Sequence, residues 1–245
     1  MRADIPKRKV PFAGVVNAEM IDGRKLQIDP QEIFRYLGYR KDSGQQIDLF
    51  SGEFADQVEK ELRTKCRIRY VYRRVSVTLD GEGRLHFGGL FAVESKGLRR
   101  SLENCKEAFL MAATLGAEAD LLISRYCRLA MNQGVIAEAA ATAVIEAGCD
   151  FCCEQLEQEL AEEGYRLHRR FSPGYGDFSL DCQKYMIDAL DCPRKIGLSL
   201  TDQCMLVPTK SVTAVMGISS LSCAEDEDGA CENCLKKDCT YRRID

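Results

Sequence analysis

The chain has 245 residues, 45% of them hydrophobic and 29% charged, enough to bury a substantial core in one domain or two small ones. Its net charge of -4 argues against a general nucleic-acid binder, which needs surplus Lys and Arg to neutralise phosphates. No run of about 18 uncharged apolar residues occurs and the start, MRADIPKRKV, has no apolar stretch, so neither a membrane span nor a secretory signal is indicated and a cytoplasmic location is expected.

Residues 1–60 mix Pro, Gly and charge around one short helix, Pro30 to Leu37 (PQEIFRYL), ended by Gly38; they read as an N-terminal extension packed on the domain. Arg67 to Glu94 alternates branched and aromatic residues around Asp80-Gly81-Glu82-Gly83, the signature of a β-hairpin. AFLMAATLG then predicts a strand ended by Gly116, and Ala117 to Met131 a helix. The clearest helix is Ile136 to Leu160. Its Ala140, Ala143, Ala147 and Phe151 share one face, mostly small enough for a neighbouring backbone to approach closely. Beyond it lies RRFSPGYGDF, Arg169 to Phe178, too turn-prone for a helix. Gln183 to Leu190 predicts a helix, and KIGLSL and SVTAVMGI predict two strands bracketing Pro208. Strands that cluster with hairpin signals, without regular βαβ alternation, indicate an α+β fold over residues 61–222: a compact domain with a twisted, mainly antiparallel sheet and flanking helices.

Residues 223–245 differ in kind. The chain holds thirteen cysteines, an odd number that suggests reduced thiols and metal ligands rather than a disulfide framework. Cys223, Cys231, Cys234 and Cys239 fall in the pattern C-x7-C-x2-C-x4-C. The C-x2-C step lets two thiolates reach one metal ion from a tight turn, and two more would complete a tetrahedral site for zinc or an iron–sulfur cluster; the alternative is an acidic tail rich in cysteine.

In the loop, Arg170 offers a planar fork for a carboxylate, Pro173-Gly174 lets the backbone turn close to a ligand, and Tyr175 is placed to cover it. The same residues also suit a structural turn whose arginine pairs with a surface glutamate. Glu154 falls within about 60 degrees of the alanine stripe, counting about 100 degrees per residue. A buried glutamate needs a partner, either a protein cation or the positive end of a zwitterionic or sulfonium ligand whose carboxylate rests on Arg170.

These pieces, in order, are a long helix carrying Glu154, the R-x-x-P-G-Y core at Arg170 to Tyr175, I-G-x-x-L-T at Ile196 to Thr201 and P-x-x-S-V at Pro208 to Val212. Together they resemble the activation (reactivation) domain of cobalamin-dependent methionine synthase over roughly Ala112 to Gly217. The resemblance implies a domain that binds S-adenosylmethionine and closes over a corrinoid whose cobalt has lapsed to cob(II)alamin, supporting its reductive methylation. It places Arg170 on the ligand carboxylate, Ser172 and Gly174 in the lining loop, Tyr175 toward the corrinoid in a catalytic role, Glu154 near the ligand, and Met216 and Gly217 in contact with it. Met216 and Gly217 stand where the family carries aromatic residues, and the family's early acidic ligand residue has no counterpart that aligns within residues 1–60. The only histidines are His86 and His168, so no D-x-H-x-x-G corrinoid loop exists. The resemblance therefore implies a free-standing subunit acting on the cobalamin of a separate corrinoid protein, a shortened methionine synthase or related methyltransferase, with flavodoxin or ferredoxin as electron donor. The alternatives are a metal-tailed adaptor that only recognises corrinoid proteins, and a redox protein whose iron–sulfur tail feeds electrons to cobalt.

Overall fold

The computed structural model describes residues 14–39 and 49–221; the four tail cysteines and their expected metal site lie outside the described residues. The centre is the antiparallel sheet β4-β3-β2-β5-β9-β6, with β1 also paired to β2. β2 (Ile68–Leu79) is its long spine. One edge of β2 carries β1 (Val16–Ile21) and then β3 (Leu85–Phe87), which continues into β4 (Phe91–Val93), while β5 (Glu107–Thr114) runs along the other edge. β9 (Ser211–Ser220) pairs with β5 over eight positions, and β6 (Tyr165–Leu167) closes the far edge. The expected hairpin forms at Asp80, whose carboxylate accepts the amides of Glu82 and Arg84 at 3.0 and 2.9 Å.

Period-2 alternation sends the strands' side chains to two apolar layers. On one face Ile68, Tyr70, Tyr72, Phe109, Met111 and Met216 pack against α2 (Leu49–Lys65), α4 (Ala117–Leu129) and α5 (Met131–Glu162). On the other, Val71, Val75, Leu110 and Val215 meet α6 (Cys182–Ala189) and the short α7 (Cys192–Ile196) through Met186, Ile187, Leu190 and Ile196. A fully buried side chain such as Phe109 contributes about 1.5 to 3 kcal/mol by leaving water. Gly148 shows why α5 is rich in small residues: a Cβ there would stand 3.1 Å from Ile68 Cγ2 of the spine strand. Among the described residues no helix is long and apolar enough to cross a membrane.

Three parts of the architecture depart from the sequence reading. KIGLSL is not one strand. Pro193 in the first turn and Gly197 at φ +70° bracket α7, and only Ser199–Leu200 is extended, paired with Leu206–Val207 as a separate two-stranded hairpin, β7 and β8. Residues before 61 supply more than the one predicted helix α1 (Pro30–Tyr36), since β1 extends the sheet and the first part of α2 buries Ala55 and Val58 against the α5 side. α3 (Lys96–Ser101), capped by Ser95, was not anticipated.

Candidate functional site

A groove of about 510 Å³ opens between α5 and the segment leading into α1. Its α5 wall is Ala143, Glu146, Ala147, Asp150, Phe151 and Glu154, and the opposite wall runs from Lys25 to Asp29 and includes Glu32. Local chemistry fixes both walls. Arg63 of α2 donates from Nε to the Gly23 carbonyl at 2.8 Å and from Nη2 to that of Arg24 at 3.0 Å, clasping the start of the segment. Gly23 is required there, because a Cβ would meet the Arg63 carbonyl oxygen at 2.4 Å. Asp29 ends the segment as the N-cap of α1, accepting the Gln31 amide at 2.9 Å, with Pro30 in the first turn. On α5, small side chains at 143 and 147 leave room while carboxylates at 146, 150 and 154, successive four-residue steps, rise along one side.

The lining has five carboxylates and one ammonium, Lys25, so the groove is electronegative and suits a cationic or zwitterionic molecule. The counter-charge to two of these carboxylates is Arg170, which pairs with Glu146 and Asp150 without itself lining the groove. This guanidinium donates from Nη2 to Glu146 Oε2 at 2.9 Å and to Asp150 Oδ1 at 2.7 Å. Burial works against its charge, but the neighbouring Glu146 and Asp150 carboxylates favour it, and its pKa is raised above the ordinary value. Burial, and next the charge of Glu146, push the Tyr36 phenol up, so it stays neutral, with Arg35 lying 4.3 Å over its ring. Behind Arg170, burial raises the Cys153 thiol to about 11 and the Cys149 and Cys152 thiols further, so these sulfurs are uncharged. The Cys153 thiol donates to the Met216 thioether at 3.5 Å.

The residues singled out from sequence do not share one place. Arg170 lies behind the α5 wall, paired with Glu146 and Asp150 but not itself in the groove lining, and Met216 is fully buried beneath α5. Glu154 lines the groove but is exposed, not buried among alanines, and Arg170 pairs with Glu146 and Asp150 instead. Gly217 points to the opposite face of the sheet, where a Cβ would meet Cys105 Sγ at 2.6 Å and Leu102 Cδ2 at 3.0 Å. Ser172, Gly174 and Tyr175 form a compact turn: the Tyr175 amide donates to the Ser172 carbonyl at 3.1 Å and that of Gly174 to Phe178 at 2.7 Å. This turn is not part of the groove lining; Tyr175 is 67% exposed, 6.5 Å between ring centroids from Phe171. Asp177 fastens the turn to α3, accepting from Ser95 Oγ at 2.7 Å and from the amides of Lys96 and Gly97 at 2.6 and 3.0 Å. Sequence reasoning missed Asp29, Glu146 and Asp150. The i, i+4 carboxylate spacing was visible, but the fold alone shows which of its members meets Arg170.

Neither protein-family models nor curated proteins provide a match to the chain. Among solved structures it is similar to a crystal structure of the MetH reactivation domain bound to AdoHcy, with a TM-score of 0.64 and 16% identity over 88% of this chain and 82% of that one. The chain therefore has the activation-domain-like fold that its R-x-x-P-G-Y and P-x-x-S-V segments resemble.

Proposed function

We propose that the groove binds S-adenosylmethionine and that the chain acts in trans as an activation subunit, supporting reductive methylation of cob(II)alamin on a separate corrinoid methyltransferase. The observation that carries this reading is Arg170 beside an acid-lined groove, in the fold of a domain crystallised with AdoHcy. When bound, S-adenosylmethionine supplies an electrophilic methyl group on a sulfonium. The roles assigned to this chain are binding and orientation. Arg170 takes the ligand carboxylate, while Glu146 and Asp29 on opposite walls face the ammonium and sulfonium charges. In this reading Asp29 fills the place of the early acidic residue that alignment could not locate. Ala143 and Ala147 leave space for the nucleoside, and exposed Tyr175 meets the corrinoid of the partner. The proposed electron donor is flavodoxin or ferredoxin.

Calorimetric titration of the purified chain with S-adenosylmethionine tests the reading, with one saturable site per chain expected. Addition of the chain should then accelerate methylcobalamin formation on a methionine synthase lacking its own activation domain, given a low-potential reductant and S-adenosylmethionine. No saturable heat would remove the ligand assignment; binding without acceleration would leave an adaptor that recognises the ligand or the corrinoid protein.

A further inference from the structure

The grip of Arg170 is already occupied. A guanidinium holds a carboxylate with two parallel bonds either through Nε and Nη2 or through Nη1 and Nη2, so Nη2 is common to both arrangements. In this chain Nη2 has two hydrogens and gives them to Glu146 and Asp150, at 2.9 and 2.7 Å. Nε and Nη1 make no hydrogen bond among the described residues, and neither is a buried unpartnered atom. A ligand carboxylate thus finds donors on Arg170 but cannot take a fork until one internal carboxylate lets go. The two differ in how easily they leave, since the Glu146 side chain is 35% exposed and that of Asp150 56% exposed.

We infer that Asp150 is an internal competitor for the carboxylate-binding fork of Arg170: it holds Nη2 beside the groove, swings into solvent when a carboxylate ligand arrives, and thereby sets affinity and selectivity. Glu146 stays bonded and keeps the guanidinium aimed. The inference rests on the ligand reading above and adds to it a residue that weakens binding. An ion pair whose carboxylate is exposed contributes on the order of 1 kcal/mol, so its removal should be felt as a few-fold change and not as an on–off switch.

The test compares wild type with Asp150→Asn, titrated with S-adenosylmethionine and with its decarboxylated analogue, which keeps both positive charges but has no carboxylate. Competition predicts that Asp150→Asn binds S-adenosylmethionine about three- to fivefold more tightly, while the analogue binds equally well or less tightly because an attractive charge has gone. If the substitution weakens both ligands alike, Asp150 is only an attractive charge and the inference is overturned. If both ligands bind wild type and Asp150→Asn with unchanged constants, Asp150 does not compete and the inference fails alone. If neither form binds either ligand, the ligand reading itself fails and takes the inference with it.

Discussion

Arg74 and Arg170 each stand between two carboxylates, yet they use their donors in opposite ways. Arg74 on β2 gives Nε and Nη2 to Glu107 at 3.1 and 2.6 Å and Nη1 to Glu163 at 2.9 Å, with its guanidinium 5.7 Å from the centre of the Tyr165 ring. Every nitrogen is engaged, joining β2, β5 and the residue that follows α5. Arg170 directs both of its bonds from one nitrogen. Burial does not separate the two, since their side chains are 12% and 19% exposed. The spread of engaged nitrogens does: an arginine bonded through all three nitrogens is a clasp, and one that bonds through Nη2 alone among the described residues still has donors to offer a ligand.

The largest effect should come from breaking the clasp. Arg74→Ala leaves the half-buried Glu107 and the exposed Glu163 without their shared cation and should lower unfolding free energy by about 2 to 3 kcal/mol in urea titrations without changing S-adenosylmethionine affinity. A loss no greater than that of an ordinary surface substitution would erase the contrast. Gly217→Ala sharpens the boundary of the site. Its Cβ would crowd Cys105 and Leu102 on the sheet face away from α5, so stability should fall by about 1 to 3 kcal/mol while ligand affinity is kept. Intact stability with lost binding would put Gly217 at the ligand, as the family resemblance implies.

Asp177 probes the turn behind Arg170. Hydrogen bonds from Ser95 and from the Gly97 and Lys96 amides hold its pKa at about 2 against an ordinary 3.8. Because the folded value is depressed, the stabilisation is present above about pH 4 and is lost as pH falls toward about 2. The stability gap between wild type and Asp177→Asn, measured by thermal unfolding across that window, should therefore close at its acid end; a gap independent of pH would show that the carboxylate charge is not what fastens the turn. The smallest effect belongs to Glu154→Gln, which removes an exposed charge that does not pair with Arg170 and should weaken S-adenosylmethionine by less than about twofold in calorimetry. A tenfold loss would return Glu154 to the central place that the helical stripe suggested.

Much of the fold was legible because its signals are local. α5 declares itself by small-residue periodicity, the Asp80 hairpin by turn chemistry and β9 by an apolar run. Other local signals were present but outweighed. In CPRKIG, proline and glycine bracket a single helical turn, yet the branched run KIGLSL reads as a strand. Phe54, Ala55, Val58 and Leu62 carry a helical stripe in α2 that Gly52 and the charged surroundings obscured. The site divides the same way. Arg170 stood out as an arginine before a turn of Pro and Gly. Its partners did not, because 146, 150 and 154 share one side of α5, and only the return of the chain through β6 decides which of them lies opposite residue 170. The second wall, Lys25 to Glu32, is brought to α5 by the Arg63 clasp from α2, a contact some forty residues away in sequence.

Side-by-side calorimetric titrations of Arg170→Ala and Arg74→Ala with S-adenosylmethionine, under conditions where both remain folded, test the central claim most directly. A charge-assisted contact to a carboxylate contributes about 1.5 to 3 kcal/mol, so Arg170→Ala should bind at least about tenfold more weakly than wild type. Arg74→Ala should bind as wild type does, and Arg170→Lys should recover only part of the loss, because an ammonium cannot form the fork. Equal weakening of the two alanine variants, or unchanged affinity in Arg170→Ala, would contradict the assignment of Arg170 as the grip on the ligand.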